Sequence, residues 1–227
     1  MESVIGRNGF AACLCNLIGA ILVIGLLSGG NVRAQTVILA FGDSLTAGFG
    51  LKQSEGFVPK LEAWLQSAGH DVAVRNGGVS GDTTSGGRAR IGWALEDDVD
   101  AVIVELGGND FLRGLPPAAA RDNLDAILAE VTGRGLPVLL AGLPAPPNYG
   151  SAYKAEFDAI FPELAAKHGA LYYPDFFAEL RKEGTFAGVP ALMQGDGIHP
   201  NAAGVLRIVA GIGPVVSGLL ATTAASR

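Results

Sequence analysis

The sequence repeats one pattern, in which a short apolar run rich in branched residues is followed by a stretch with helical periodicity. The starts of these runs are about 30 residues apart, which is the length of a strand–helix–strand unit. The runs are Val37–Phe41, Val72–Arg75, Ala101–Glu105, Val138–Ala141 and Ala170–Tyr173. Strands that alternate with helices predict an α/β fold, a three-layer sandwich whose parallel five-stranded sheet has helices on both faces.

Two of the predicted helices contain residues that disfavour a helix. Pro162 is expected to kink or split a helix whose apolar stripe holds Phe157, Phe161 and Leu164. A final helical segment, from Asn201 to about Leu220, is expected to be interrupted. The interrupting residues are Gly211, Gly213 and Pro214.

The first 34 residues differ from the rest of the chain. Leu17–Leu27 is an uninterrupted run of small and apolar residues, preceded by Arg7 and followed by small residues at Val32 and Ala34. This layout predicts that residues 1–34 are a signal peptide cleaved after Ala34, and that residues 35–227 form a single exported domain, periplasmic or secreted. No stable membrane span would remain after cleavage. The alternative is an uncleaved N-terminal anchor, because residues 10–28 approach the length that spans a bilayer.

Composition excludes several classes of protein. A chain of 227 residues with 49% hydrophobic and 17% charged residues is not disordered. The 16 Lys and Arg residues are outnumbered by 22 Asp and Glu residues, so nucleic acid is not an expected partner. Both cysteines, Cys13 and Cys15, lie in the predicted leader. The mature domain would therefore contain no disulfide, thiolate metal site or cysteine nucleophile.

Polar, glycine-rich segments follow the apolar runs. In a parallel α/β sheet, ligands bind beyond the carboxyl ends of the strands. Three of these segments come directly after the first three runs, and a fourth lies beyond the fifth run. They are Gly42–Leu45, Asn76–Asp82, Gly107–Asp110 and Asp196–Pro200. We therefore expect all four segments to meet at one edge of the sheet.

Ser44 is the candidate nucleophile of this edge. A serine hydroxyl needs a base within hydrogen-bond reach, and a third group must orient that base. His70 and His168 precede strands and should lie at the opposite edge, which leaves His199 as the base. Asp196, three residues earlier, could orient its imidazole. Each signal has an ordinary alternative, because Ser44 could be a helix N-cap and the Asp-x-x-His pair a loop hydrogen bond.

Acyl transfer also needs donors for a developing oxyanion. The backbone N–H groups of Ser44 and Gly81 and the side-chain amide of Asn109 are the candidates. A local turn bond is the alternative for Asn109. Four further glycines are attributed to turn geometry, namely Gly77, Gly78, Gly107 and Gly108.

The four segments together resemble the SGNH, or GDSL, hydrolase superfamily, which is named for a Ser, Gly, Asn and His in separate blocks. Ser44, Gly81, Asn109 and His199 match these positions in order, and the resemblance extends from about Val37 to Asn201. Residues 42–48, 104–110 and 196–200 are most similar to a bacterial branch of secreted esterases. Members of this branch are called thioesterase I, protease I, lysophospholipase L1 or arylesterase.

The resemblance implies a flavodoxin-like SGNH fold and a serine esterase that acts through a covalent acyl-enzyme on Ser44. It implies that His199 acts as base and then acid, and that Asp196 orients it. Ser44, Gly81 and Asn109 would form the oxyanion hole, with no metal or organic cofactor. The implied substrates are small-molecule acyl esters or lipids, including aryl esters, lysophospholipids and acyl thioesters.

An apolar loop after Asn109 bears on the substrate. Phe111, Leu112 and Leu115 are predicted to bind an acyl chain beside the oxyanion hole, because each buried CH₂ group contributes about 0.8 kcal/mol. Alternatively, these residues only plug the domain, and the enzyme is a carbohydrate O-acetyl esterase. A non-catalytic exported binding domain is the third possibility. A nucleotide binder is disfavoured, because neither a G-x-G-x-x-G nor a P-loop motif is present.

Overall fold

The centre of the fold is a parallel five-stranded sheet. The computed structural model describes residues 35–181 and 186–225, so the predicted signal peptide lies outside the described residues. The strand order is β2-β1-β3-β4-β5, and every neighbouring pair is parallel. The strands are β1 (Thr36–Gly42), β2 (Val72–Gly78), β3 (Ala101–Glu105), β4 (Val138–Ala141) and β5 (Leu171–Tyr173). Each predicted run overlaps one strand, and the flavodoxin-like order is confirmed.

Helices cover both faces of the sheet, as predicted. They are α1 (Ser44–Ala47), α2 (Phe57–Ser67), α3 (Thr84–Ala94), α4 (Gly108–Leu112), α5 (Pro117–Gly133), α6 (Ser151–His168) and α7 (Ala202–Ala225). Helices α2 and α7 pack together in one layer, while α5 packs between α3 and α6 in the other. All five residues of β3 are buried between these layers, which explains its continuous apolar sequence.

Neither of the two helices that contain helix-disfavouring residues is divided into separate elements. Helix α6 continues through Pro162 instead of splitting, and α7 continues through its glycines and Pro214. Tertiary packing explains both results, because α6 and α7 bury apolar stripes in the core. A Cβ on Gly213 would lie 2.7 Å from the Trp64 ring of α2, so this glycine permits close helix contact.

Helix α7 is also long and apolar enough, by length and composition, to cross a membrane. Half of its most apolar segment is buried inside the domain. The buried residues include Val205, Ile208, Ile212 and Val216, which recur at helical spacing and belong to the core. We therefore interpret α7 as a core helix.

Glycines bring the ends of β1 and β2 against α1. The sequence analysis attributed Gly77 and Gly78 to turns. In the structure they are instead the last two residues of β2. A Cβ on Gly78 would lie 2.3 Å from the backbone nitrogen of Ala47 in α1. Gly107, with φ of 124°, does occupy a conformation that favours glycine. The backbone at the end of β2 is therefore in close contact with the backbone of α1.

Candidate active site

Ser44, His199 and Asp196 form a continuous hydrogen-bonded chain. The Nε2 atom of His199 lies 2.8 Å from Ser44 Oγ, and its Nδ1 atom lies 2.7 Å from Asp196 Oδ2. Ser44 begins α1 directly after β1, whereas the other two residues come from the loop before α7. The fold thus brings together side chains that are 155 positions apart. This arrangement can remove the Ser44 proton through an oriented imidazole.

A tight turn holds Asp196 against His199. Asp196 Oδ1 accepts hydrogen bonds from the backbone N–H groups of Ile198 and His199, at 2.9 and 3.0 Å. Gly197 makes the turn possible with φ of 69°. The hydrogen bonds from the His199 backbone and side chain, followed by that from Ile198, lower the pKa of Asp196 to about 2. The carboxylate therefore stays ionised while it orients His199.

Asp43 connects the nucleophile to Asn109. As the N-cap of α1, its Oδ1 accepts from the Leu45 N–H at 3.0 Å, and its Oδ2 accepts from Asn109 Nδ2 at 3.1 Å. Burial raises the pKa of Asp43 to about 6, although the hydrogen bonds from Leu45 and Asn109 oppose this shift. The sequence left the role of Asp43 open. The structure places it between two elements of the site.

A second carboxyl group, that of Glu105, lies beneath the same turn. It is completely buried at the end of β3, and its Oε2 accepts from the Thr46 hydroxyl at 2.8 Å. Burial raises the pKa of Glu105 well above its ordinary value, and the nearby charge of Asp43 adds to this shift. The buried Glu105 carboxyl group therefore supports the turn that carries Ser44.

Three groups can donate toward a substrate oxygen. Among the described residues, the backbone N–H groups of Ser44 and Gly81 have no hydrogen-bond acceptor. The amide of Asn109 donates to the Asp82 carbonyl at 2.9 Å and to Asp43 at 3.1 Å. Asn109 would therefore have to share a hydrogen with the substrate. All three residues lie along the same pocket.

The pocket has a volume of about 930 Å³ and a mainly apolar lining. Phe111 and Leu112 line it, as predicted from the loop sequence, but Leu115 does not. The Leu115 carbonyl instead accepts a hydrogen bond from the Tyr153 hydroxyl, which ties this residue to α6. The opposite wall was not predicted, because it comes from distant segments. It includes Phe177, Leu180, Val189 and Met193.

Besides Leu112, two apolar side chains that line the pocket are exposed. Phe49 and Ile198 expose 50% and 44% of their surfaces, and the Phe49 ring centroid lies 4.7 Å from that of His199. No sequence motif had singled out either residue. Both residues therefore add exposed apolar surface to the pocket lining.

The two histidines excluded by the sequence argument lie outside this site. His70 Nε2 contacts Ser217 Oγ at 3.1 Å, and His168 Nε2 contacts Asp125 at 2.6 Å. Neither residue lines the pocket. Within residues 35–181 and 186–225, no group of three or more His, Cys, Asp or Glu side chains is placed to hold a metal ion.

Comparisons with known proteins identify the family of the chain. Residues 40–206 match the model of the GDSL-like lipase/acylhydrolase family. The chain is 39% identical to esterase TesA of Pseudomonas aeruginosa, over 84% of this chain and 92% of that protein. It is 37% identical to thioesterase 1/protease 1/lysophospholipase L1 of Escherichia coli K12, over 75% and 78% of the two chains.

A solved structure shares the fold. AlinE4, an SGNH-hydrolase family esterase, is 46% identical and superposes with a TM-score of 0.67, over 83% of this chain and 98% of that one. The chain therefore belongs to the GDSL-like lipase/acylhydrolase family and is a carboxylic ester hydrolase of the SGNH type.

Proposed function

We propose that the chain is a serine esterase that hydrolyses apolar acyl esters through Ser44, His199 and Asp196. The hydrogen-bonded chain from Asp196 through His199 to Ser44 Oγ, with distances of 2.7 and 2.8 Å, carries this proposal. It supplies a nucleophile, a base and an orienting carboxylate in the order that acyl transfer requires.

Acylation begins when Ser44 Oγ attacks the ester carbonyl carbon. The hydroxyl proton passes to His199 Nε2, while Asp196 keeps the other ring nitrogen protonated and stabilises the imidazolium. Collapse of the tetrahedral intermediate breaks the bond to the alcohol oxygen. His199 then returns its proton to that oxygen, and the acyl group remains on Ser44.

Deacylation repeats these steps with water. His199 takes a proton from water, the resulting hydroxide attacks the acyl-enzyme, and Ser44 leaves with the proton from His199. In both halves the carbonyl oxygen becomes negative. The N–H groups of Ser44 and Gly81 and the Asn109 amide stabilise this charge, and donors fixed in advance are effective because they need no reorganisation.

The pocket favours esters with several carbons in the acyl chain. Its walls are mainly apolar, and each buried CH₂ group contributes about 0.8 kcal/mol to binding. The names of the two relatives, esterase and thioesterase 1/protease 1/lysophospholipase L1, support hydrolysis of acyl esters. We therefore expect kcat/KM for p-nitrophenyl esters to rise from acetyl to medium chains. A steep preference for acetyl would instead support a carbohydrate O-acetyl esterase.

The catalytic assignment is tested by covalent labelling with a fluorophosphonate. The wild-type protein should be labelled at Ser44 and should hydrolyse p-nitrophenyl butyrate. Ser44→Ala should lose both properties with an unchanged circular dichroism spectrum, because only a hydroxyl is removed. Ser85→Ala, at an exposed serine on α3, is the matched control. Labelling elsewhere, or turnover by Ser44→Ala, would refute the assignment, and an unlabelled wild type would indicate a binding domain.

We also propose that this esterase is exported after cleavage of residues 1–34. The apolar run Leu17–Leu27 and the small residues at Val32 and Ala34 support this proposal. Intact-mass measurement of protein from an expressing bacterium should give an N-terminus at Gln35. An N-terminus at or near Met1 in the membrane fraction would indicate an anchor.

A further inference from the structure

Arg90 on α3 connects the segments that carry two of the proposed oxyanion donors, Ser44 and Gly81. Its Nε donates to Asp82 Oδ2 at 2.7 Å, and its Nη1 donates to the Gly77 carbonyl at 2.7 Å. Its Nη2 donates to the Gly42 carbonyl at 2.8 Å. All three guanidinium nitrogens are therefore engaged with the ends of β1 and β2 and with the loop after β2.

Two of these three acceptors lie close in sequence to residues of the proposed active site. Gly42 is two residues before Ser44, and Asp82 directly follows Gly81. The backbone carbonyl of Asp82 accepts the 2.9 Å hydrogen bond from the Asn109 amide. A single guanidinium thus fixes the backbone on which two oxyanion donors lie, together with the acceptor that orients the third.

The surroundings of Arg90 are shaped for this contact. The guanidinium lies over the Phe41 ring, 3.9 Å from its centroid, and only 23% of the Arg90 side chain is exposed. A Cβ on Gly86 would lie 1.7 Å from Asp82 Oδ1, so this glycine leaves the room that the carboxylate needs. Lysine could not replace this arrangement, because one ammonium cannot reach three divergent acceptors and stack on a ring.

We propose that Arg90 is a positioning residue that sets the geometry of the oxyanion donors through Asp82 and Asn109. This inference rests on the proposed function. The oxyanion forms only during reaction, so misplaced donors should lower kcat more than they raise KM. Arg90 would act on the rate without touching the substrate.

The test compares Arg90→Lys with Arg88→Lys, a matched change at an exposed arginine on the same helix. Arg90→Lys should lower kcat on p-nitrophenyl butyrate by about 10- to 100-fold, the scale of a small misplacement at a reacting centre, with KM within about twofold. Arg88→Lys should leave both constants unchanged. The same change at position 90 is then made in the Asn109→Ala background.

The double variant separates positioning from general damage. Because Arg90 also holds the segments that carry Ser44 and Gly81, Arg90→Lys should still lower kcat in the Asn109→Ala background, but by a clearly smaller factor than in wild type. Equal losses in both backgrounds, or wild-type kcat in Arg90→Lys, would overturn the inference. If Arg90→Lys does not fold, Asp82→Asn provides the same comparison, because it removes the ion pair and keeps the backbone carbonyl. A wild type that neither turns over ester nor reacts with fluorophosphonate would overturn the proposed function itself.

Discussion

Asn109 shows how one side chain depends on partners from two other segments. Its amide donates to the Asp82 carbonyl and to the Asp43 carboxylate, which hold the amide plane in place. Asp43 in turn caps α1, where Ser44 lies. Asp43 therefore links the orientation of the Asn109 amide to the position of Ser44.

Asn109→Ala is the direct measure of this donor. We expect kcat to fall by about 10²–10³-fold, the usual effect of losing one oxyanion donor, with a smaller change in KM. Steady-state kinetics on p-nitrophenyl butyrate would give both constants. A kcat within about twofold of wild type would show that the amide does not stabilise the transition state.

At this scale the sequence predicts residues whose chemistry is unusual, and it misses those that act through backbone contacts. His199 could be singled out because the other histidines precede strands. Arg90 could not, because its acceptors include the carbonyls of Gly42 and Gly77, which any residue carries. These carbonyls bind Arg90 only because the fold brings the ends of β1 and β2 close to α3.

Among the elements, the close contact between β2 and α1 bears directly on the nucleophile. It depends on Gly78, where a Cβ would lie 2.3 Å from the Ala47 nitrogen and 2.8 Å from the Asp43 carbonyl. Both of these atoms belong to the backbone, so neither can move by a rotamer change. The position of α1, and hence of Ser44, requires glycine here.

Gly78→Ala and Gly92→Ala form a matched pair of changes, one at a strand end and one inside a helix. Gly78→Ala should lower the free energy of unfolding by about 1–3 kcal/mol through overpacking, and should reduce kcat as α1 is displaced. Gly92 lies within α3, and a Cβ added there would meet no other atom within 4 Å. Gly92→Ala should therefore stabilise the domain by about 0.5–1 kcal/mol with unchanged kcat.

Urea denaturation and ester kinetics would measure both variants. Equal stability of Gly78→Ala and wild type would contradict the close approach of β2 and α1. A loss of stability in Gly92→Ala would show that α3 cannot accept a side chain at that position.

Element types followed from the sequence, but helix continuity did not. The short apolar runs predicted every strand, because β-strands buried on both faces have continuous apolar sequences. Pro162 and the glycines of α7 suggested breaks that packing overrides. Gly213 lies under the Trp64 ring, so the residue that weakens the isolated helix also allows its contact with α2.

For the whole domain, burial of carboxyl groups near the site makes stability depend on pH. Burial raises the pKa of Asp43 and of Glu105, and also that of Asp110 despite its hydrogen bonds from Thr84. At a pH between the unfolded and the folded pKa, each of these groups binds more proton in the folded state than in the unfolded state. Their contribution to stability is complete below the unfolded pKa and is lost as the pH rises toward the folded pKa.

Glu105→Gln isolates one of these contributions. Above pH 4.5, the ordinary pKa of a glutamate side chain, wild type should lose stability relative to Glu105→Gln by up to about 1.4 kcal/mol per pH unit, until the folded pKa is reached. Urea denaturation of both proteins between about pH 4 and 8 would measure the difference. Glu156→Gln, at an exposed position on α6, is the control. A difference that does not change with pH would mean that Glu105 is ionised in the folded protein.

Ser44 and His199 lie on segments that differ in burial. Ser44 follows the buried strand β1, whereas residues 195–198 form an exposed loop, held near Phe49 by the Gln194 side chain. Segments with few buried contacts open at a lower free-energy cost than the core. On heating, esterase activity should therefore be lost several degrees below the temperature at which the domain unfolds. Cooling from this intermediate temperature should restore the full rate. If the midpoint of heat inactivation equals the calorimetric Tm, the loop is as stable as the core.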